Sequence, residues 1–203
     1  AEQANGAITV SYGTTVVLAT AVMGKSDENK DYLPLTVEFE EKFYAAGKIL
    51  GSRYMRREGR ASDAAILRAR IIDRTIRPLF DQRIRRDLQV VVTILSYEKE
   101  SDPVFAGLLA ASLALSISDI PWNGPVAGIP IVHSNWEAFI AGCNGKINMI
   151  ELEGLDAPES EIVAEFEKAM PEIARLEAFQ KEIVAACGKP KAAVTLKEIA
   201  PAL

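Results

Sequence analysis

Histidine and cysteine are almost absent from this chain. His133 is the only histidine and Cys143 and Cys187 are the only cysteines among 203 residues. A zinc centre needs three or four Cys or His ligands at close spacing, and a disulfide framework needs several paired cysteines; neither pattern exists here. The two thiols read as reduced and buried, and His133 as a loop or surface side chain. Long apolar runs are also lacking. None reaches the roughly 18–20 uncharged residues of a membrane helix, and the chain does not open on a basic stretch followed by an apolar one. The expectation is a cytoplasmic protein with no membrane partner. No internal repeat or low-complexity tract is present.

About half of the residues are apolar, 49%, which suffices for one principal core with an appendage. The net charge of -5 argues against a generally basic nucleic-acid binder, yet it conceals an asymmetry. Eleven of the twelve arginines lie between Arg53 and Arg86, and only Arg175 lies outside. With four acids in that segment (Glu58, Asp63, Asp73, Asp81), its net charge is +7 and that of the remainder is -12.

The chain opens in sheet. Ala7 to Tyr12 and Thr15 to Met23 are rich in Val, Ile and Thr and flank Gly13-Thr14, which predicts a β-hairpin. Leu33 to Glu41 alternates, with Leu35, Val37 and Phe39 on one side and Glu38 and Glu40 on a solvated other side. From Lys42 to Arg60 three glycines break any period, which predicts a long loop. Ser62 or Asp63 then N-caps a helix that Pro78 ends near Ile76. Helical spacing puts Arg70, Arg74 and Arg77 on one face and Ala65, Ile72 and Ile76 on the opposite one.

Leu88 to Leu95 is a continuous apolar strand, and Val104 to Ile117, uncharged all around, is a buried helix. Val126 to Val132 and Ile147 to Leu152 read as strands joined by a poorly patterned stretch, His133 to Gly145. Pro158 opens an acidic helical region that Gly188 and Pro190 stop, with Pro171 expected to divide it into two helices. The fold class is therefore α+β: a mixed sheet packed with helices, followed by amphipathic helices.

Around Arg53-Tyr54-Met55-Arg56-Arg57-Glu58-Gly59-Arg60, guanidinium forks for phosphate oxygens sit beside Tyr54 and Met55, which offer stacking or apolar contact to bases. Single-stranded nucleic acid fits this composition. Salt bridges between subunits fit it equally well.

The stretches EEKFYAAGKI (40–49), MRREGRASDAAILRARIIDRTIRPLF (55–80), LQVVVTILS (88–96) and ASLALSISDIPWNGPVAG (111–128) resemble the first ribonuclease PH-like core domain of the polynucleotide phosphorylases, collinearly from about Ile8 to Pro190. The resemblance implies a ring of three chains that degrades RNA from the 3′ end with inorganic phosphate as co-substrate, releasing nucleoside diphosphates, and that also runs in reverse. It implies that Tyr54, Met55, Arg56 and Arg57 line the pore through which RNA threads, with Arg60 on the RNA path and Arg74 and Arg77 close to it or supporting it. RNA degradosome components are implied as possible partners. It divides the chain into a core at 1–155, the core's C-terminal helices at 156–190 and the start of an all-helical linker domain at 191–203. Tyr-Met stands where the family has two aromatics, Arg53 is an added residue, and Ala61 replaces a common proline.

The family's catalytic second half carries a serine run before the helix matching Val104 to Ile117 and an aspartate-rich segment further on, for phosphate and for Mg2+. Here the serine slot reads Asp102-Pro103-Val104: a carboxylate repels phosphate, and proline lacks a backbone donor. The second segment matches Val132 to Gly142, where Glu137 is the only acid and the chain is shorter than the family, through a true deletion or a loop absent from this sequence. This half is therefore expected to lack the catalytic site, Mg2+ being bound by the second half. The alternative is a non-catalytic RNA-binding subunit of an exosome-like ring.

Overall fold

The computed structural model describes residues 2–27, 29–49, 51, 59–98 and 102–198. Strand β1 (Gly6–Tyr12) turns through Gly13-Thr14 into β2 (Thr15–Ser26), the hairpin read from the sequence. After β3 (Leu35–Glu40) and a 3-10 turn at Phe43–Ala46 inside the expected loop, helix α1 spans Asp63–Ile76. Its N-cap is Ser62, whose hydroxyl accepts the Ala65 N–H at 3.0 Å. Pro78 closes it through a 3-10 turn, Arg77–Leu79. Strand β4 (Arg86–Ser96) and helix α2 (Val104–Ile117) follow.

The first sheet has the order β1-β2-β4-β3, antiparallel except for the parallel β3–β4 pair, so β3 is an edge strand. Alternation along these strands sends Val17, Ala19, Ala21, Phe39, Val90 and Val92 to one face, where α1 and α2 cover them. Along α1, Ala65, Ile72 and Ile76 are buried while Arg70 and Arg74 face solvent, the division that helical spacing predicts. Helix α2 is buried almost throughout because protein lies on every side of it. Leu108, Leu113 and Leu115 are within 1% of full burial, each contributing about 1.5–3 kcal/mol relative to exposure. Gly107 sets the approach of α2 to the sheet, since a Cβ there would stand 2.9 Å from the Phe39 ring.

A second, antiparallel sheet, β5 (Ala127–Val132), β6 (Trp136–Cys143) and β7 (Lys146–Gly154), covers the other side of α2. Phe139, Ala141, Cys143 and Met149 point toward α2; Trp136, Ala138 and Ile140 point away, toward α3 (Glu159–Cys187). The molecule is thus four layers: sheet, helices, sheet, helix.

Three expectations are corrected. The stretch His133 to Gly145 contains β6, a full strand; it lacks alternation because all but one of its residues are buried. Pro171 does not divide α3, which runs unbroken for 29 residues. Pro171 and Glu167, whose carbonyl loses its partner to the missing N–H, are both on the exposed face, where an unpaired carbonyl costs least, while Ala169 and Ile173 pack on the sheet. Cys187 is exposed, and only Cys143 is buried.

After α3 the chain runs back extended. Lys191 Nζ donates to the carbonyls of Leu115, Ser116 and Ser118 at 2.8, 3.0 and 2.8 Å, satisfying the C-terminal end of α2. Leu196 then pairs with Ile84. No helix among the described residues is long and apolar enough to cross a membrane.

Candidate nucleic-acid interface

Between β3, an edge strand among the described residues, and one face of α1 lies a cleft of about 1150 Å³, lined also by Phe43, Ala45 and Ala46 of the 3-10 turn and by residues Gly59 to Ser62. The strand contributes its whole length. The helix contributes Ala65, Ile66, Arg68, Ala69, Arg70 and Asp73, with Arg77 at its end; of these Ile66, Arg70, Asp73 and Arg77, three or four residues apart, mark a single helical face.

The arginines of this region are not equivalent. Arg77 donates to both oxygens of Asp73 (2.6 and 3.0 Å) and to the carbonyls of Leu33 and Leu35 (3.3 and 3.0 Å), tying the end of α1 to the start of β3. Arg74 is exposed and pairs with Glu151 of β7 at 2.8 Å. Arg68 donates to Glu41 at 2.7 Å and to both oxygens of Asp102 at 3.1 and 3.2 Å; Ser62 in turn donates to Glu41 at 2.7 Å. Burial works against the Arg68 charge, but the hydrogen bonds and charge of Asp102, with Glu41 adding, hold its pKa above the ordinary arginine value. Arg60 and Arg70 line the cleft and have no acidic partner among the described residues. Tyr54, Met55, Arg56 and Arg57 lie outside the described residues.

Asp102 also closes the start of α2. Its Oδ1 accepts the Val104 N–H at 2.8 Å, so the first N–H of this helix is engaged by the protein's own carboxylate. Pro103 has no N–H to offer, and its carbonyl accepts the Gly107 N–H at 2.8 Å. The sequence shows Asp102 in this position, but not its link to Arg68, 34 residues earlier.

Glu137, the one acid of Val132 to Gly142, is exposed on β6 opposite Glu153 of β7. His133 lies in the β5–β6 turn, where its N–H donates to the Trp136 carbonyl at 2.8 Å. Its ring stacks on Trp136 at 4.5 Å, and Nδ1 is 3.4 Å from Glu161. Among the described residues no three His, Cys, Asp or Glu side chains come together as a metal site would require.

The sequence matches the RNase PH family, described as the 3′ exoribonuclease family, domain 1, over residues 1–121. The chain belongs to this family. Polyribonucleotide nucleotidyltransferases from Streptococcus equi subsp. zooepidemicus, Bacillus mycoides and an Exiguobacterium species are 44%, 45% and 42% identical over 216, 215 and 219 residues, covering 98%, 98% and 100% of this chain. The chain spans about 30% of the length of each of these relatives. The matched lengths exceed the 203 residues here, so the relatives carry residues within the match that this chain lacks. Among solved structures, rice Rrp46 superposes with a TM-score of 0.70 at 12% identity, covering 91% of this chain and 90% of that one. A chain of the Archaeoglobus fulgidus exosome, in a structure with RNA bound to the active site, gives 0.66 at 15% identity, covering 90% and 84%. At these identities the likeness establishes the fold, and an RNase PH-like α+β domain is what the sequence led us to expect.

Proposed function

We propose that this chain is the RNA-positioning half of a phosphate-dependent 3′-to-5′ exoribonuclease, a polyribonucleotide nucleotidyltransferase, and that it does not itself carry the catalytic site. In the whole enzyme, inorganic phosphate attacks the last phosphodiester, the penultimate 3′ oxygen leaves with the proton, and one nucleoside diphosphate is released; polymerisation is the reverse. The observation that carries the reading is the Asp102 carboxylate on the Val104 N–H, held there by Arg68. A negative group already occupies the helix start at which a phosphate would be bound.

In this reading Mg2+ and phosphate belong to the second half of the whole enzyme. Tyr54, Met55, Arg56, Arg57 and Arg60 contact the RNA strand, Arg77 supports them by fixing α1 to β3, and Arg74 supports them by holding α1 to β7. The enzyme works as a homotrimeric ring in the cytoplasm, with degradosome components as candidate partners. Residues 1–155 form the core, 156–190 carry its C-terminal helix α3 and 191–203 are the start of a linker domain.

The second reading is a non-catalytic RNA-binding subunit of an exosome-like ring; a solved chain of the same fold belongs to an exosome. Residues following Leu203 discriminate, since a serine-rich phosphate loop and paired aspartates there belong only to the first reading. The direct experiment supplies RNA and phosphate to this chain alone and to the whole protein. Nucleoside diphosphates are expected from the whole protein only; their release by the chain alone would refute the assignment.

A further inference from the structure

We infer that Glu41, Arg68 and Asp102 are positioning residues: together they clasp the two ends of the segment 42–61, which carries Arg56 and Arg57, and fasten them to the start of α2. This deepens, and rests on, the RNA-positioning reading. Glu41 immediately precedes the segment and Ser62 immediately follows it. The Ser62 hydroxyl donates to one Glu41 oxygen at 2.7 Å, and Arg68 of α1 donates to the other at 2.7 Å. Twenty residues thus leave and return at a single carboxylate. Arg68 reaches further, donating through two more of its nitrogens to the two oxygens of Asp102 at 3.1 and 3.2 Å. Asp102 in turn accepts the Val104 N–H at 2.8 Å, which joins the network to α2. A backbone bond from the Tyr97 N–H to the Ala45 carbonyl at 3.0 Å ties the first turn of the segment to the chain just past β4.

What the network adds is position more than stability. Ser62 already caps α1 by accepting the Ala65 N–H, and Asp102 needs no cation in order to accept the Val104 N–H. The side chains of Arg68, Glu41 and Asp102 are 22%, 39% and 51% exposed, and ion pairs as open as these contribute little to folding. A planar guanidinium with three nitrogens engaged on two carboxylates, however, admits few arrangements. Fixing both ends of a segment this long removes conformations that it would otherwise sample. The choice of anchor fits the same reading. Asp102 stands at the helix start that, in the RNA-positioning reading, does not bind phosphate, and its carboxylate there holds the arginine that closes the segment.

The test separates position from charge. Asp102→Asn keeps an oxygen for the Val104 N–H but loses the charge that faces Arg68, and Glu41→Gln removes the charge to which Ser62 and Arg68 donate. Each takes a negative charge away, so charge alone would draw RNA closer and lower its KM. The clasp gives the opposite sign. In the whole protein the KM for long RNA is expected to rise roughly tenfold, within the reach of a small misplacement of a substrate-positioning group, while the KM for phosphate stays as in the wild type. Asp102→Glu, which restores the charge, should recover most of the loss, and Arg175→Ala, on α3 and paired with Glu172, should change nothing. Melting temperatures measured on each variant show that it is folded. A KM for long RNA that is unchanged or lower in both Asp102→Asn and Glu41→Gln, with Arg56→Ala plus Arg57→Ala still slowing degradation, would overturn the clasp and leave the RNA reading standing. If none of these substitutions affected long RNA, the RNA reading would fall too. A parallel rise in both KM values, or a melting temperature low enough to account for the loss, would make the network a general support of the fold and overturn its positioning role.

Discussion

Single carboxylates decide much of this molecule's character, and their partners decide what each one does. Asp102 accepts the first N–H of a helix and engages Arg68, so one side chain sets a negative charge at that helix start and neutralises a cation of the adjoining wall. Asp81 does something simpler. Its oxygens accept the Arg83 guanidinium at 2.8 and 3.1 Å and the Arg83 N–H at 2.9 Å, and these bonds hold its carboxyl down to about 2, against an ordinary 3.8. A lowered folded-state value means that the unfolded chain binds the proton first. The stabilisation is present above the ordinary value and is lost as the pH falls toward about 2. We predict that wild type has a higher urea midpoint than Asp81→Asn at pH 5, and that the difference shrinks as the pH is lowered through this window. Equal midpoints at pH 5 would show that the pair, which is half-exposed, contributes nothing.

At the scale of elements, α3 is held by its neighbours more than by its own sequence. An internal proline costs a helix roughly 3 kcal/mol, yet Pro171 is accommodated because Ala169, Ile173, Glu177 and Gln180 dock one face of the helix. The buried Glu177 carboxylate accepts the Asn144 N–H at 3.1 and 3.2 Å, and Gln180 donates to the Val126 carbonyl at 2.9 Å. Pro171→Ala restores the bond to the Glu167 carbonyl and should raise stability by about 1–2 kcal/mol, less than the full figure because proline also restricts the unfolded chain. Chemical denaturation reads this directly, and an unchanged or lowered midpoint would contradict it. The same reasoning explains what was legible beforehand. Elements with one wet face or a local stop signal, such as β1–β2 and α1, could be read from alternation, Ser62 and Pro78. Strand β6, buried on both faces, could not be read from alternation. Its one local signal was Asn144-Gly145, both with positive φ (52° and 74°), a dipeptide that fits a tight hairpin turn. The candidate site was legible as a concentration of arginine. Which arginines are free was not, because Arg74–Glu151 and Arg68–Asp102 join residues 77 and 34 positions apart.

For the molecule as a whole, the separation of charge matters more than the net value. An acidic protein that carries a +7 segment keeps the general attraction to polyanions low while concentrating its arginines in one part of the sequence. Arg56 and Arg57 belong to that segment, and in the RNA-positioning reading they touch the strand at a distance from the reacting phosphate. Their removal should then act on how long the enzyme keeps its substrate, with little effect on how it binds the nucleophile. In the whole enzyme, Arg56→Ala plus Arg57→Ala is expected to slow degradation of long RNA about tenfold or more while leaving the KM for phosphate within about twofold, since the loss of two charge-assisted contacts of roughly 1 kcal/mol or more each falls on RNA alone. Product lengths supply an independent readout. A looser grip releases partly shortened chains, so intermediates should accumulate where the wild type runs to short products. Unchanged rates and product ladders on long RNA would remove these two arginines from the RNA path. A rise in the KM for phosphate as large as the fall in RNA turnover would place them at the phosphate site instead, and with them the claim that this half positions the strand without taking part in the chemistry.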